Sequence, residues 1–177
     1  MRGGMDGAPW IVDTWVNLLH PVAGAAREAG ENVFGRYGNL DVLRTGTDPA
    51  ALVREMDAAG VARAGLCSTD LPWLTEVSAR YPGRFFGIVS PDPTDIMGCL
   101  RTIERAVREA HCKAVKIEPF LWGKPPTDAM YYPIYAKCVE LDITFTTQIG
   151  HTGPLFPSAT GRPIHLDPVA PDFPDLR

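Results

Sequence analysis

The sequence lacks the uninterrupted run of about 18 to 20 apolar residues that a membrane-spanning helix needs. Its four cysteines contain no CxxC pair, and residues 1–10 lack the basic head and apolar run of a signal peptide. We therefore expect reduced thiols in a cytoplasmic protein, with no membrane partner. Basic residues are also few, since 17 Lys and Arg against 21 Asp and Glu give a net charge of −4. Nucleic-acid binding needs surplus positive charge, so we expect no nucleic-acid partner.

The residues that are present describe an ordinary globular protein. With 177 residues, 45% hydrophobic and 21% charged, the chain has the composition of one folded domain. We expect that domain to cover residues 11–177, after a flexible N-terminus at residues 1–10.

Short apolar segments alternate with segments of helical spacing along the chain. The pattern predicts five strands, at residues 11–17, 61–67, 85–89, 113–117 and 143–147. It predicts helices at residues 47–60, 71–80, 94–110 and 128–141, a long irregular connection at 18–46 and turn-rich segments after 117 and 147. Single helices between strands imply right-handed βαβ crossovers and a parallel sheet.

Two parallel folds remain open at this point, a doubly wound sheet and part of a (β/α)8 barrel. The sequence has neither GxGxxG nor GxxxxGK[ST], the glycine patterns of nucleotide-binding sheets. Polar residues instead follow the predicted strands, where barrel enzymes keep their chemistry: Asp13, Asn17, 68–70, Asp92, Glu118 and 148–151. This placement favours the barrel.

The segments 113–123, 128–138 and Thr147-Gln-Ile-Gly-His-Thr-Gly-Pro-Leu resemble the amidohydrolase-related family. That branch of the amidohydrolase superfamily contains aminocarboxymuconate-semialdehyde decarboxylase and aromatic-acid decarboxylases. The resemblance extends from residue 11 to the end of the sequence and implies a (β/α)8 barrel. Its strands six to eight would lie beyond Arg177, so we expect an incomplete barrel of about five βα units.

The resemblance also implies one divalent metal, commonly zinc, in a full-length form. The family holds it with an HxH pair after strand one, a His after strand five and an Asp after strand eight. Trp15 and Asn17 stand at the two HxH positions, and His151 matches the strand-five ligand. Trp has no lone pair for a metal and Asn is a weak neutral donor, so we expect no tightly bound metal in this chain.

Other candidate roles follow from where the residues stand. We expect Asp13, Glu118 and His151 to be catalytic, with Glu118 and His151 close enough to move protons unless Glu118 pairs with Lys116 or Lys124. Trp15, Asn17, Trp122 and Gln148 are candidate substrate-binding residues. His20 does not stand at a spacing typical of metal ligands. The helix tyrosines Tyr131, Tyr132 and Tyr135 are expected to pack on the helix face or lie at the surface. Cys67 has no His nearby in the sequence to act as its base, which disfavours a nucleophile.

Two functional hypotheses from different classes result. The first is a hydrolase or decarboxylase for a small carboxylated substrate, aromatic or not, that is metal-independent or uses an altered metal. The second is a truncated fragment or pseudoenzyme that acts in binding or assembly, which the replacement of both HxH histidines supports. An incomplete barrel exposes open sheet edges, so we also expect a homo-oligomer.

Overall fold

The sheet of this protein consists of five parallel strands in the order in which they occur in the chain. A computed structural model describes residues 10–17, 31, 41, 45–152 and 156–177. Within them the strands are β1 (Ile11–Val16), β2 (Val61–Ser68), β3 (Phe85–Val89), β4 (Ala114–Ile117) and β5 (Thr144–Thr147). The predicted connection at residues 18–46, including His20, lies almost wholly outside the described residues.

Six α-helices lie wholly within the described residues, and Glu31, Asp41 and Thr45 are also helical. The six are α1 (Pro49–Ala59), α2 (Leu71–Arg80), α3 (Ile96–Ala110), α4 (Pro119–Trp122), α5 (Tyr132–Glu140) and α6 (Val169–Asp172). Short 3-10 helices cover Ala129–Tyr131, Ser158–Gly161 and Pro163–Leu166. No helix among the described residues is long and apolar enough to span a membrane.

Local side-chain chemistry sets the helix boundaries. Asp48 begins α1 by accepting hydrogen bonds from the backbone N–H groups of Ala50 and Ala51, and Gly60 ends it at a φ of 71°. Asp95 begins α3 in the same way by accepting from Gly98 N. That helix therefore starts two residues later than the predicted 94–110. The predicted helix 128–141 begins as a 3-10 turn because Asp128 accepts from Met130 N.

The sheet has a helix-covered outer face and a smaller inner cluster. Apolar residues of all the longer helices pack with Leu66, Val89, Val115 and Ile117 of the strands in one large core. The opposite face holds a separate cluster that contains no helical residue: Trp15, Cys67, Phe86, Ile88 and Ala114. A doubly wound sheet carries helices on both faces and reverses its strand order. The doubly wound alternative is therefore wrong, and the curled sheet is half of a (β/α)8 barrel.

Aromatic rings join the C-terminal segment to this half-barrel. Tyr135, which is fully buried, lies edge-on to Phe145 and Phe173, with ring centroids 4.7 and 5.3 Å away. Tyr132 donates a hydrogen bond to Asp172 at 3.0 Å. These contacts confirm the predicted packing role of the helix tyrosines. They also hold the segment against β5, where Phe145 N donates to Arg177 O at 2.7 Å.

Candidate active site at the strand ends

A cavity of about 550 Å³ opens at the carboxyl ends of β1 to β4. Parallel strands bring these ends to one edge, which is where barrel enzymes bind their ligands. The cavity has one ammonium group, two carboxylates, several hydroxyls and an apolar wall. Its lining residues are Asn17, Cys67, Ser68, Thr69, Ser90, Pro91, Asp92, Lys116, Glu118, Leu121 and Trp122.

Lys116 is the cation of this cavity, and it is only 8% exposed. Its Nζ lies 2.5 Å from Glu118 Oε1 and donates to Asn17 Oδ1 at 3.3 Å. The ammonium also lies 4.8 Å from the centre of the Trp15 ring, within cation–π range. Three residues that the sequence nominated thus meet around one lysine.

The sequence predicts Lys116 only as a salt-bridge partner of Glu118, with no role in the site. A charged residue between Val115 and Ile117 in a short apolar strand is the signal that could have identified it. Side chains alternate along a strand, so Lys116 faces the inner side of the sheet while its two apolar neighbours face the helices. Burial of a charge there requires partners, which Glu118 and Asn17 supply.

The structure does not pair Glu118 with His151. Glu118 directly follows β4 in extended conformation, so it shares a face with Lys116 two residues earlier and pairs with it; this ion pair is the alternative that the sequence left open. His151 is exposed, lines a second cavity of about 320 Å³ and places its Nδ1 3.2 Å from Ser158 Oγ. The expected carboxylate–imidazole pair is corrected accordingly.

Of the remaining candidates, Trp122 lines the strand-end cavity, whereas Asp13 and Gln148 are not among its lining residues. Asp13 is exposed and accepts a hydrogen bond from Trp15 N at 3.0 Å, so its charge is solvated rather than buried in an apolar strand. Gln148 uses its amide N–H groups to bind the carbonyls of Ile149 and His151, which fixes the turn after β5. Trp122 at the end of α4 forms part of the cavity wall, and its substrate-binding role stays a prediction.

The cavity also contains hydroxyl and thiol groups with distinct properties. Ser90 Oγ is buried and has no hydrogen-bond partner among the described residues, so a ligand can supply one. Burial raises the pKa of the Cys67 thiol to about 11, an effect that nearby Lys116 opposes and that Glu118 and Asp13 reinforce. Cys67 is therefore a neutral thiol at physiological pH and a poor nucleophile.

The donors described here do not fit a divalent metal. Trp15 offers no lone pair, Asn17 and Glu118 are engaged by Lys116, and the Cys67 thiol is protonated. The described residues contain no group of three or more His, Cys, Asp or Glu side chains placed to hold a metal ion.

Comparison with known proteins identifies the family. The amidohydrolase family model matches residues 12–177, nearly the whole chain. The chain belongs to the amidohydrolase family. The predicted family resemblance is thereby confirmed, and the open half-barrel is the first part of the (β/α)8 barrel of this family. No curated protein matches the sequence.

Solved structures of similar fold include several decarboxylases of aromatic acids. A 2,6-dihydroxybenzoate decarboxylase from Rhizobium shares 16% identity over 96% of this chain and 65% of its own, with a TM-score of 0.71. A 5-carboxyvanillate decarboxylase from Sphingomonas paucimobilis shares 14% identity over 95% of this chain and 66% of its own, with a TM-score of 0.70.

A dihydroxybenzoic acid decarboxylase from Polaromonas was solved with manganese and the inhibitor 2-nitroresorcinol. It shares 15% identity over 96% of this chain and 64% of its own, with a TM-score of 0.70. This amidohydrolase chain therefore spans slightly less than two thirds of the length of these structures, and at these identities the likeness establishes the fold.

Proposed function

We propose that this amidohydrolase-family chain belongs to an enzyme that decarboxylates or hydrolyses a small carboxylated substrate, aromatic or not. The enzyme would work without the usual HxH metal site. The observation that supports the proposal is the strand-end cavity, in which a buried ammonium and unpartnered Ser90 face the apolar wall of Trp122 and Leu121. An apolar cavity with a few convergent polar groups is the usual form of a small-molecule site. The decarboxylase neighbours give the proposal its substrate class.

Within this cavity the chain's own residues have separable tasks. Lys116 supplies positive charge, and Ser90 and Ser68 supply hydroxyls that can orient polar substituents of a ring. Trp122 and Leu121 exclude water from the apolar part of the substrate. Asp92 keeps a lowered pKa because the Thr94 hydroxyl and backbone N–H donate to its carboxylate. It is therefore an anion at neutral pH and can accept a hydrogen bond from a substrate hydroxyl.

The test is an activity screen of the purified protein with two substrate sets. One set consists of aromatic acids, including 2,6-dihydroxybenzoate and 5-carboxyvanillate, assayed for release of CO₂. The other consists of carboxylated lactones and amides, assayed by proton release. Each assay is run with EDTA and with added Mn²⁺ or Zn²⁺. We expect turnover in one set that survives EDTA.

Three outcomes of this screen contradict all or part of the proposal. Turnover that disappears with EDTA and returns with Mn²⁺ would contradict metal independence while retaining the reaction class. Turnover of neither set, in protein that melts cooperatively, would favour the pseudoenzyme alternative. Loss of turnover in Ser90→Ala but not in Ser78→Ala, a serine on α2 outside the cavity, would support the cavity as the site. Equal effects of the two changes would contradict that assignment. Cytoplasmic localisation and homo-oligomerisation stay predictions.

A further inference from the structure

Lys116 makes contact with both residues that replace the family's histidines. Trp15 offers the ammonium its ring face at 4.8 Å, and Asn17 accepts its hydrogen bond at 3.3 Å. A histidine pair at these positions would attract a metal cation, whereas Trp and Asn both suit an ammonium. The two replacements therefore serve the same purpose, which is to surround a cation that belongs to the chain itself.

The ammonium retains capacity for a ligand. It has three N–H donors, of which Glu118 and Asn17 accept two, and Lys116 lines the strand-end cavity. Because its side chain is more than nine-tenths buried, a hydrogen bond to it is shielded from water. Glu118 competes for the same charge from two residues away.

We propose that the Lys116 ammonium binds the carboxylate of the substrate in the strand-end cavity, so that this contact requires no divalent metal. Asn17 and Trp15 are the residues that position the ammonium. This inference rests on the proposed function and names the residue that recognises its substrate class. The ligand is a small monocarboxylate. A second carboxylate on the same molecule would face Asp92 and Glu118, two anions against one cation.

The experiment measures binding of benzoate and 2,6-dihydroxybenzoate to the purified protein by calorimetry in EDTA. We expect Lys116→Met to weaken both by roughly tenfold to a hundredfold, because a hydrogen bond to a charged group is lost. Lys116→Arg should retain part of the affinity. Benzamide, which has the same ring without the charge, should bind equally to the wild type and Lys116→Met.

Glu118→Gln should change the affinity for benzoate in the opposite direction. It removes the carboxylate that competes for Lys116, so benzoate should bind more tightly than to the wild type. The double variant Lys116→Met/Glu118→Gln removes both charges of the ion pair, so neither partner is left unpaired, and it should bind benzoate as weakly as Lys116→Met. This double variant keeps the test valid if Lys116→Met alone fails to fold.

Lys124→Met is the matched control. Lys124, in the segment after α4, also forms an ion pair with a carboxylate, at 3.0 Å from Asp128, but it is not among the residues that line the cavity. Its replacement should leave benzoate binding unchanged. Equal affinity in the wild type and in folded Lys116 variants, no benzoate binding by the wild type, or binding that requires added metal would each overturn the inference.

The binding result and the activity screen fail independently. Lysine-dependent binding without turnover of any substrate would preserve the inference and contradict the proposed enzyme. Turnover with binding that does not depend on Lys116 would do the reverse.

Discussion

The positions of single side chains decide which groups of the strand-end cavity act together. Lys116 lies on β4 and Glu118 follows that strand in extended conformation, two residues later, so both side chains lie on the same side of the sheet and form an ion pair. His151 follows β5 beyond a turn held by Gln148, and Ser158 binds its ring. The predicted role of His151 would therefore rest on the second cavity, which it lines, rather than on a pair with Glu118.

His151→Ala tests whether this imidazole takes part in turnover. If His151 transfers a proton in the reaction, its loss should lower kcat by roughly a hundredfold or more on whichever substrate of the screen is turned over. The exposed side chain predicts an unchanged melting temperature. His165→Ala, another histidine of the C-terminal segment bound to Ala159 O, is the control. Full turnover in folded His151→Ala would remove His151 from the mechanism.

At the scale of elements, the layer between the strands and the helices leaves little room beside β3. Gly87 faces this layer, and a Cβ at its position would overlap Cys112 Sγ and approach Leu74 Cδ1 to 3.3 Å. Its carbonyl also accepts from Lys113 N at 2.9 Å, which holds the start of β4 in place. The glycine allows α2 and the end of α3 to pack closely on the sheet.

Gly87→Ala should therefore destabilise the protein. Overpacking of a core site costs about 1 to 3 kcal/mol of the free energy of unfolding, and urea unfolding measures it. The double variant Gly87→Ala/Cys112→Ala removes the sulfur that the new methyl group meets. It should be less destabilised than the sum of the two single variants. Strict additivity of the two changes would show that the contact with Cys112 is not the cause.

At the scale of the whole molecule, the four cysteines are buried free thiols. Burial raises the pKa of Cys67 to about 11 and those of Cys99, Cys112 and Cys138 to about 12, from an ordinary value of 9.0. Above pH 9 the unfolded chain therefore releases thiol protons that the folded chain keeps. A rise in pH therefore lowers the free energy of the unfolded state more than that of the folded state, so the free energy of unfolding decreases.

Stability should be constant with respect to these thiols below about pH 8 and should decrease from pH 9 towards pH 11. Each thiol contributes a slope of up to about 1.4 kcal/mol per pH unit. Urea unfolding at pH 7.5, 9 and 10 measures the slope, and Cys138→Ala should flatten it by the share of one thiol. A free energy of unfolding that stays level up to pH 10 would contradict the buried, protonated thiols.

Much of the fold could be predicted because its signals are local. The segment Leu71–Arg80 has the predicted boundaries because Asp70 accepts from Trp73 N and Tyr81-Pro82-Gly83 follows the helix. The same holds for β3. The short helices Pro119–Trp122, Ser158–Gly161 and Val169–Asp172 were missed. At about one turn each, they are too short to show a periodic pattern.

The sequence by itself determined the family and the parallel βα order, because both are written in residue types and their spacing. Only the tertiary structure decided which side chain Trp15 and Asn17 contact, and that side chain is Lys116. Lys116 lies 99 residues from Asn17 along the chain, and the curl of the sheet brings their side chains to 3.3 Å. It likewise separated His151 from Glu118. Such partnerships depend on strand alternation and sheet curvature, which act over distances that no local pattern records.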